Sequence, residues 1–541
     1  MNQSISMMLV GGLIRVMQGF AQAAPTLLVG LLIASIFRYY LGTQGTRRLF
    51  GGNRWRSLPQ SWLIGMLLPV CSIGVLPILF EMRRAKVKPG AMSAFALSAP
   101  LFNPLSLLYG LTLSRPLVII LFALGSLIVV TALGALWDTA WRRFPPRMEG
   151  HRGDDVLDGH SEADPSTDHL IGLRRVFATI VHFARETTGV TILLTLVALS
   201  GLAVLAAVLP YGAMQNAVEQ DDWWAPLKML FVAVPVYATP MLAMSQLGMM
   251  FQHANSPGAS FTLLTLGAGM NLATPLWFAR YYGWKTASTW MASLLVIVLG
   301  LSYAINKPLV PPGVEPAGHT HAFDIYANPL STHQPINFET IGDLVAKETD
   351  ISMIASLIVL AIVAVLGLVL RVLKVDEASL VAGAQPGSFA SSMQTEDALP
   401  RRGLDVIVPP GVIGAAALAG LVALSIVACY AYYPSPRECL EEISIARAEC
   451  LTAANSGQTE HALYWLPVWE DWSRRLEVGT FLRTGVVRPY QRMQGYLIRK
   501  KLELLEHELE HDPPEPEETQ QVVRDILGTN ARWVESFRQT R

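Results

Sequence analysis

The sequence predicts an all-α polytopic membrane protein: duplicated four-helix units (4+4 spans), two further spans and a C-terminal soluble helical domain. Three observations carry that expectation. Of 541 residues, 52% are hydrophobic and 15% charged, with a mean hydropathy of +0.37; an ordinary soluble domain is about 25% charged. Apolar runs recur near the length of about 20 residues that a helix needs to cross hydrocarbon, and they are continuous, without the alternation of a barrel strand. Charge is segregated: residues 434–541 hold 14 Lys+Arg and 18 Asp+Glu, which marks a boundary near Tyr433. The net charge of -1 supplies no basic field for nucleic acid, and four cysteines make no disulfide scaffold.

Taken in order, residues 1–137 form a first four-helix unit with spans at Met7–Ile36, Trp62–Phe80, Ala91–Leu113 and Leu117–Trp137. The first is long enough to tilt or to enter the interface. No basic residue precedes it and Arg15 lies inside it, which is not the pattern of a signal peptide. Residues 138–175 are a polar connector whose acidic, His-containing stretch 149–169 reads as a solvated loop. Residues 176–306 form the second unit, with spans at Val176–Leu209, Leu230–Phe251, Ala259–Phe278 and Ala287–Ala304. A His-containing loop (307–350) leads to two extra spans within 351–433, Ile351–Leu370 and Val412–Tyr433, joined by a linker of small and polar residues. With these ten spans the loop arginines and lysines divide 13 against 13 between the two faces. The positive-inside rule then ties. The dense basic flanks of the connector favour an inside N-terminus and an inside C-terminal domain, an assignment that a re-entrant segment would reverse.

An internal repeat runs through the two units. PGAMSAFALSAPLFN (89–103) and PGASFTLLTLGAGMN (257–271) align at an offset of 168, and Pro69-Val70-Cys71 faces Pro235-Val236-Tyr237 with a two-residue gap. Proline removes a backbone donor and displaces a carbonyl. A bilayer tolerates such backbone only where it is buried in protein or lines a cavity. Paired broken helices in two halves point to a transport site near the midplane. The residues expected to line that pathway are Pro69, Cys71, Ser72, Gly74, Pro77 and Asn103 in the first copy, with Pro235, Tyr237, Thr239, Pro240 and Asn271 in the second. The plainer alternatives are proline kinks that serve packing and asparagines that act as interhelical glue.

At these residues the chain resembles the predicted-permease family that includes the organoarsenical efflux permeases. The resemblance rests on PVCSIGVLPI (69–78), RRAKVKPG (83–90), FALSAPLFNP (95–104), the second copy at 235–275 and APTLLVG (24–30), and covers roughly residues 8–306. It implies a polytopic inner-membrane permease of duplicated four-helix units and, for some members, export of trivalent organoarsenicals. Family members often carry Cys-x-Cys in the first broken helix; here Cys71 is followed by Ile73, and Tyr237 stands in the second copy. One thiol cannot chelate a soft, thiophilic solute.

Outside this core, His319, His321 and Asp324 suit a divalent metal such as zinc, or a loop whose imidazoles bind backbone. No other cofactor is expected. The C-terminal domain reads as helices over 438–454, 461–483, 489–511 and 518–537. Glu508-x-x-His511 is half of a di-iron pattern without its second half. Cys439 and Cys450 lie about three turns apart on one helix, beyond disulfide reach. Glu81 and Glu186 sit at helix edges, where an interfacial role competes with ion coupling. No phosphate-binding P-loop is present. The expected function is a secondary transporter or efflux permease, with the lipid bilayer and a small molecule or ion as partners and no nucleic acid. The alternative is a membrane-anchored scaffold or sensor whose C-terminal domain binds a partner protein. An enzyme is not expected.

Overall fold

The structure, a computed structural model, describes residues 5–51, 56–113, 116–143, 173–210, 214, 218–220, 222–306, 309, 322–330, 336–373, 375, 410–510 and 516–538. All regular secondary structure among the described residues is helical. The chain divides into two units, one of residues 1–103 and 122–422, the other of 104–121 and 423–541.

In the first unit, α1 (Ile5–Ile36) passes through a π-helical turn (Phe37–Leu41) into α2 (Gly42–Leu49). Then come α3 (Ser57–Leu67), α4 (Val75–Arg84) and α5 (Pro89–Ser98). α6 (Pro104–Thr112) belongs to the second unit, and α7 (Pro116–Arg143) returns to the first. After the connector follow α8 (Leu173–Thr187), α9 (Val190–Val208), α10 (Ala225–Ala233), α11 (Pro240–Gln252) and α12 (Pro257–Thr262). A π-helical segment (Leu263–Ala268) separates α12 from α13 (Ala273–Tyr282), and α14 (Trp284–Asn306), α15 (Phe338–Lys347) and α16 (Ile351–Val372) follow.

Five described helical stretches are long and apolar enough to cross a bilayer unbroken: Ile5–Leu49, Pro116–Thr139, Val190–Val208, Trp284–Asn306 and Ile351–Val372. Many of their side chains are exposed apolar residues, such as Leu193, Val296 and Ile362, as expected of surfaces that face lipid.

α1 sets a reference axis. Near one end, Asn328 donates its side-chain amide to the Met7 carbonyl (3.2 Å) and its backbone N–H to Leu209 O (3.1 Å). Near the other, Tyr39 stacks edge-on against His182 and Arg175 lies over the Tyr40 ring. Between them Gly12 touches Ala203 and Gly19 touches Leu199 and Leu202. α8 and α9 therefore run antiparallel to α1. The single span expected over Val176–Leu209 is two helices, parted at Thr188-Gly189, and α8 has one buried face, with Ala178, Val181 and His182 opposite exposed Val176 and Ile180.

Two further expected spans do not cross. Leu58 and Gly90 both pack on Gly134, so α3 and α5 start at one level, and Gly65 packs on Ser98 and Ala99, so they run side by side in the same direction. α4 ends at Arg84, five residues before α5 begins, and so returns to that level. Residues 57–84 are a helical hairpin, not the crossing expected over Trp62–Phe80. At 11 residues, α3 is about 16 Å long, half of a hydrocarbon core of about 30 Å. Its mouth lies at the Arg38 end of α1, where Glu81 pairs with Arg38 (3.2 Å). Residues 225–252 repeat the pattern: Gly258 at the start of α12 packs on Pro226 near the start of α10, and α11 ends five residues before α12. This second mouth lies at the Met7 end. Gln246 on α11 hydrogen-bonds Ala322 O and Tyr326 OH, and the same segment accepts from Arg15 through Asp324 O and Ala327 O.

Residues 257–282 are a crossing made of two short helices with a break. Of the eight crossings expected in residues 1–306, two are hairpins among the described residues. Runs of similar hydropathy hide two different geometries, because a proline break permits either a kinked span or a fold-back.

The second unit contains α6, the end of α17 (Pro410–Tyr432), and α18 (Pro436–Asn455), α19 (Thr459–Thr484), α20 (Pro489–Glu510) and α21 (Pro516–Arg538). Ser435 begins α18 with a reciprocal capping box to Glu438, and Pro436 occupies the first helical position. The core joins Cys439, Ile443, Cys450, Leu466, Trp469, Ile498, Leu505, Ile526 and Trp533. Burial pushes both thiols, Cys439 and Cys450, up to about 12; both are free, as their separation along one helix requires.

Candidate functional site

Each hairpin tip follows from its prolines. Leu68 is extended because the ring of Pro69 disfavours helical geometry in the preceding residue, and α3 stops there. The chain turns through Val70, whose N–H reaches Leu68 O (2.9 Å), and re-enters a helix at Val75. In the second hairpin, Pro235 follows α10, and Thr239 is extended before Pro240. Pro77 and Pro240 do not break helices. Each sits in the first turn of its helix, where a proline N–H has no intrahelical partner to lose. Thr239 caps α11 by accepting from Leu242 N–H (3.2 Å), so its role is structural.

The scaffold helices approach both tips through glycine. Gly30 on α1 lies against the backbone of Gly74, and Gly74 against Thr26 O; Gly201 on α9 lies against Pro235 O. A Cβ at either scaffold glycine would occupy the space of a backbone carbonyl.

The tips meet at Cys71 and Tyr237. Cys71 Sγ accepts from Gly74 N–H (3.4 Å). The fully buried Tyr237 hydroxyl lies beside the Cys71 thiol and the Thr26 hydroxyl, interacting with both but with no hydrogen bond of good geometry to either. Ser72 Oγ is likewise buried and unpartnered, as are Thr265 Oγ1 in the π-helical segment and Asn271 Nδ2. An unmade hydrogen bond costs about 1–3 kcal/mol when the group is buried, so these four side chains hold unspent donor and acceptor capacity.

The remaining expected residues divide. Asn271 Oδ1 accepts from Ala273 N–H (2.8 Å) and Thr274 N–H (3.1 Å), capping α13 while its amide nitrogen stays unpaired. Asn103 is buried immediately before α6. Thr26 and Thr265 are additions that the sequence reading missed. Thr26 follows Pro25 in the APTLLVG stretch of α1, so its signal was the proline beside it. Thr265 precedes Gly267-Ala268-Gly269, a cluster of small residues that was the available hint of irregular backbone. π-Helical insertions recur at functional sites.

Glu81, expected at an interface, is instead buried and gathers Arg38 (3.2 Å), Arg84 (3.0 Å) and His182 (3.8 Å). Burial without these cations would be prohibitive. Glu186 accepts from Thr191 (2.6 Å). His319 and His321 lie outside the described residues, as does His511. Asp324 is buried with its backbone carbonyl engaged by Arg15 (2.9 Å). Among the described residues no group of three or more His, Cys, Asp and Glu is placed to hold a metal.

Residues 20–307 match the ArsP_1 family, described as "Predicted permease". The chain belongs to this predicted-permease family. The match runs from the second half of α1 through α14 and includes both hairpins. The chain is also 30% identical over 86 residues to the UPF0718 protein YcgR of Bacillus subtilis (strain 168), across 16% of this chain and 29% of that protein. That alignment spans less than a third of the relative. No solved structure matches. Membership of the permease family, together with the apolar helices, makes this a multi-pass membrane protein of the transporter kind.

Proposed function

We propose that this permease is a secondary transporter of the inner membrane that moves a small solute, outward by resemblance to its efflux relatives, through the place where the two broken hairpins of a duplicated core meet. The observation that carries the reading is the set of buried polar side chains with unused hydrogen-bonding capacity, two at the hairpin tips and two in the broken crossing 257–282. Ser72, Tyr237, Thr265 and Asn271 can bind a passing solute with capacity that the fold leaves unused. The breaks at 68–74 and 234–239 supply the irregular backbone that a bilayer protein keeps only in its buried interior or beside a cavity. The absence of a P-loop motif from the sequence leaves an ion gradient or a partner protein as the source of energy.

Everted membrane vesicles test it. Wild-type vesicles are given a trivalent methylarsenical, free metal ions and small organic anions, with and without an ion gradient. The expected result is gradient-dependent accumulation of one solute. Ser72→Ala/Tyr237→Phe should reduce it about tenfold or more, the equivalent of ~1.4 kcal/mol in lost hydrogen bonds to the solute. Its unfolding temperature should change little, since neither group makes a well-formed hydrogen bond in the protein. Transport unaffected in that variant would sink the assigned pathway, and a well-folded wild type that moves nothing would favour the scaffold.

A further inference from the structure

We propose that residues 1–306 are an inverted-topology pair, with the mouth of the first hairpin facing the cytoplasm and that of the second facing the opposite side. The offset of 168 found in the sequence reappears in contacts that no sequence comparison used. Gly90 N–H donates to Asp138 Oδ1 (2.9 Å), and Gly258 N–H donates to Asn306 Oδ1 (3.0 Å). Gly90 packs on the Gly134 carbonyl, and Gly258 on that of Ser302. Both members of each pair differ by 168. Lys86 (φ 54°) and Ala254 (φ 52°) are the left-handed non-glycine residues of the described chain, again 168 apart. Each closes its hairpin's outer turn with the same bond, Val87 N–H to Met82 O (3.0 Å) and Asn255 N–H to Met250 O (2.8 Å).

Contacts between the halves obey a two-fold axis. If residue i touches j, then j less 168 should touch i plus 168. Trp290 donates to Ser93 (2.7 Å), and the counterpart pair, Phe122 and Phe261, stacks edge to face at 5.3 Å. Leu101 packs on Gly269, its own counterpart, so that contact lies on the axis. The same axis relates α1 to α9, which are antiparallel. Only an axis parallel to the membrane plane turns a helix over in this way.

Sidedness follows from charge. Arg15, inside α1, and Arg38, in the turn that follows it, are about 35 Å apart along the helix, enough to span the core. With hairpins in place of crossings, the segments at the Arg38 end are 37–56, 83–88, 142–175 and 280–285, which carry 17 Arg and Lys. The segments at the Met7 end, up to residue 350, carry Arg115, Lys228, Lys307 and Lys347. Over these same residues the ten-span reading divides 12 against nine; with hairpins the division becomes 17 against four, and the positive-inside rule puts the Arg38 end in the cytoplasm. The N-terminus and the 307–350 loop lie opposite, which reverses the N-inside expectation. Exposed tryptophans sit at both ends, Trp284 at one and Trp223 and Trp224 at the other, as interfacial anchors do. The topology does not depend on transport. If the permease reading also holds, the two hairpins close one pathway from opposite faces.

Accessibility labelling tests it on the full chain in cells. Arg47→Cys and Lys86→Cys flank the first hairpin, and Glu219→Cys precedes the second; all three positions are exposed. The four native cysteines are buried and serve as the unlabelled control. A membrane-impermeant maleimide should reach Glu219→Cys in intact cells, and Arg47→Cys and Lys86→Cys only in everted vesicles. Labelling of positions 47 and 86 from opposite faces would overturn the hairpin, and labelling of all three from the reverse faces would overturn the orientation. A reporter fused within the 149–169 connector should be active only in its cytoplasmic form, independently of any cysteine variant; an active exported form would overturn the proposal.

Discussion

The two hairpins share a backbone and differ in chemistry. Both break at a proline, both meet a scaffold helix through glycine, and both close their outer turn on a left-handed residue. Yet the mouth of the first is ionic, with Arg38, Arg84 and His182 around Glu81, while the mouth of the second is neutral, with Gln246 between Tyr326 OH and Ala322 O. The fold fixes where a polar anchor is needed, since each returning arm must be tied to its surroundings. Which anchor serves depends on the local cations. The first mouth sits among arginines, and a carboxylate is what they can pair with.

That contrast predicts unequal costs. Glu81→Ala removes the buried carboxylate that pairs with Arg38, Arg84 and His182 and should destabilise by about 3 kcal/mol. Gln246→Leu removes a neutral hub and should cost about 1–3 kcal/mol, chiefly from the Tyr326 hydroxyl that loses its acceptor. Thermal unfolding in detergent measures both. Equal losses would mean that the ionic mouth is no more than a packing contact.

A smaller effect tests the likeness between the hairpins. Asp138 and Asn306 each accept from the first amide of the helix that leaves a hairpin. Replacing a capping oxygen by alanine costs about 0.5–2 kcal/mol. Asp138→Ala and Asn306→Ala should both fall in that range. If one of the two costs nothing, the matched bonds are coincidental and the two-fold relation is weakened.

Much of this was legible in the sequence. Apolar runs marked the membrane helices, and the capping Ser435 and Pro436 marked the C-terminal ones. Proline and glycine at an offset of 168 marked the repeat. Direction was not legible. Hydropathy over Trp62–Phe80 is the same whether the chain crosses or folds back, because both arms are buried among other helices. What decides is contact between Leu58, Gly90 and Gly134, residues that are far apart in sequence and individually unremarkable in type. The candidate site divides along similar lines. Cys71, Ser72, Tyr237 and Asn271 were visible as polar residues beside prolines. Pro77, Thr239 and Pro240 looked the same in sequence, but serve to start helices. Thr26 lies on an unbroken helix, and only the packing of α1 against the tip brings it to Tyr237.

The smallest expected effect probes the turns. A non-glycine residue in the left-handed region costs about 1–2 kcal/mol, and glycine there relieves the strain while adding freedom to the unfolded chain worth about 0.5–1 kcal/mol. Lys86→Gly and Ala254→Gly should therefore each stabilise slightly, by up to about 1 kcal/mol, and by similar amounts. Lys86 is exposed and Ala254 buried, so their side chains have little else in common. Agreement between them would come from the backbone, the one thing that the two-fold relation says they share. A clear gain at one position with a clear loss at the other would show that the turns, though alike in φ, are held by different surroundings.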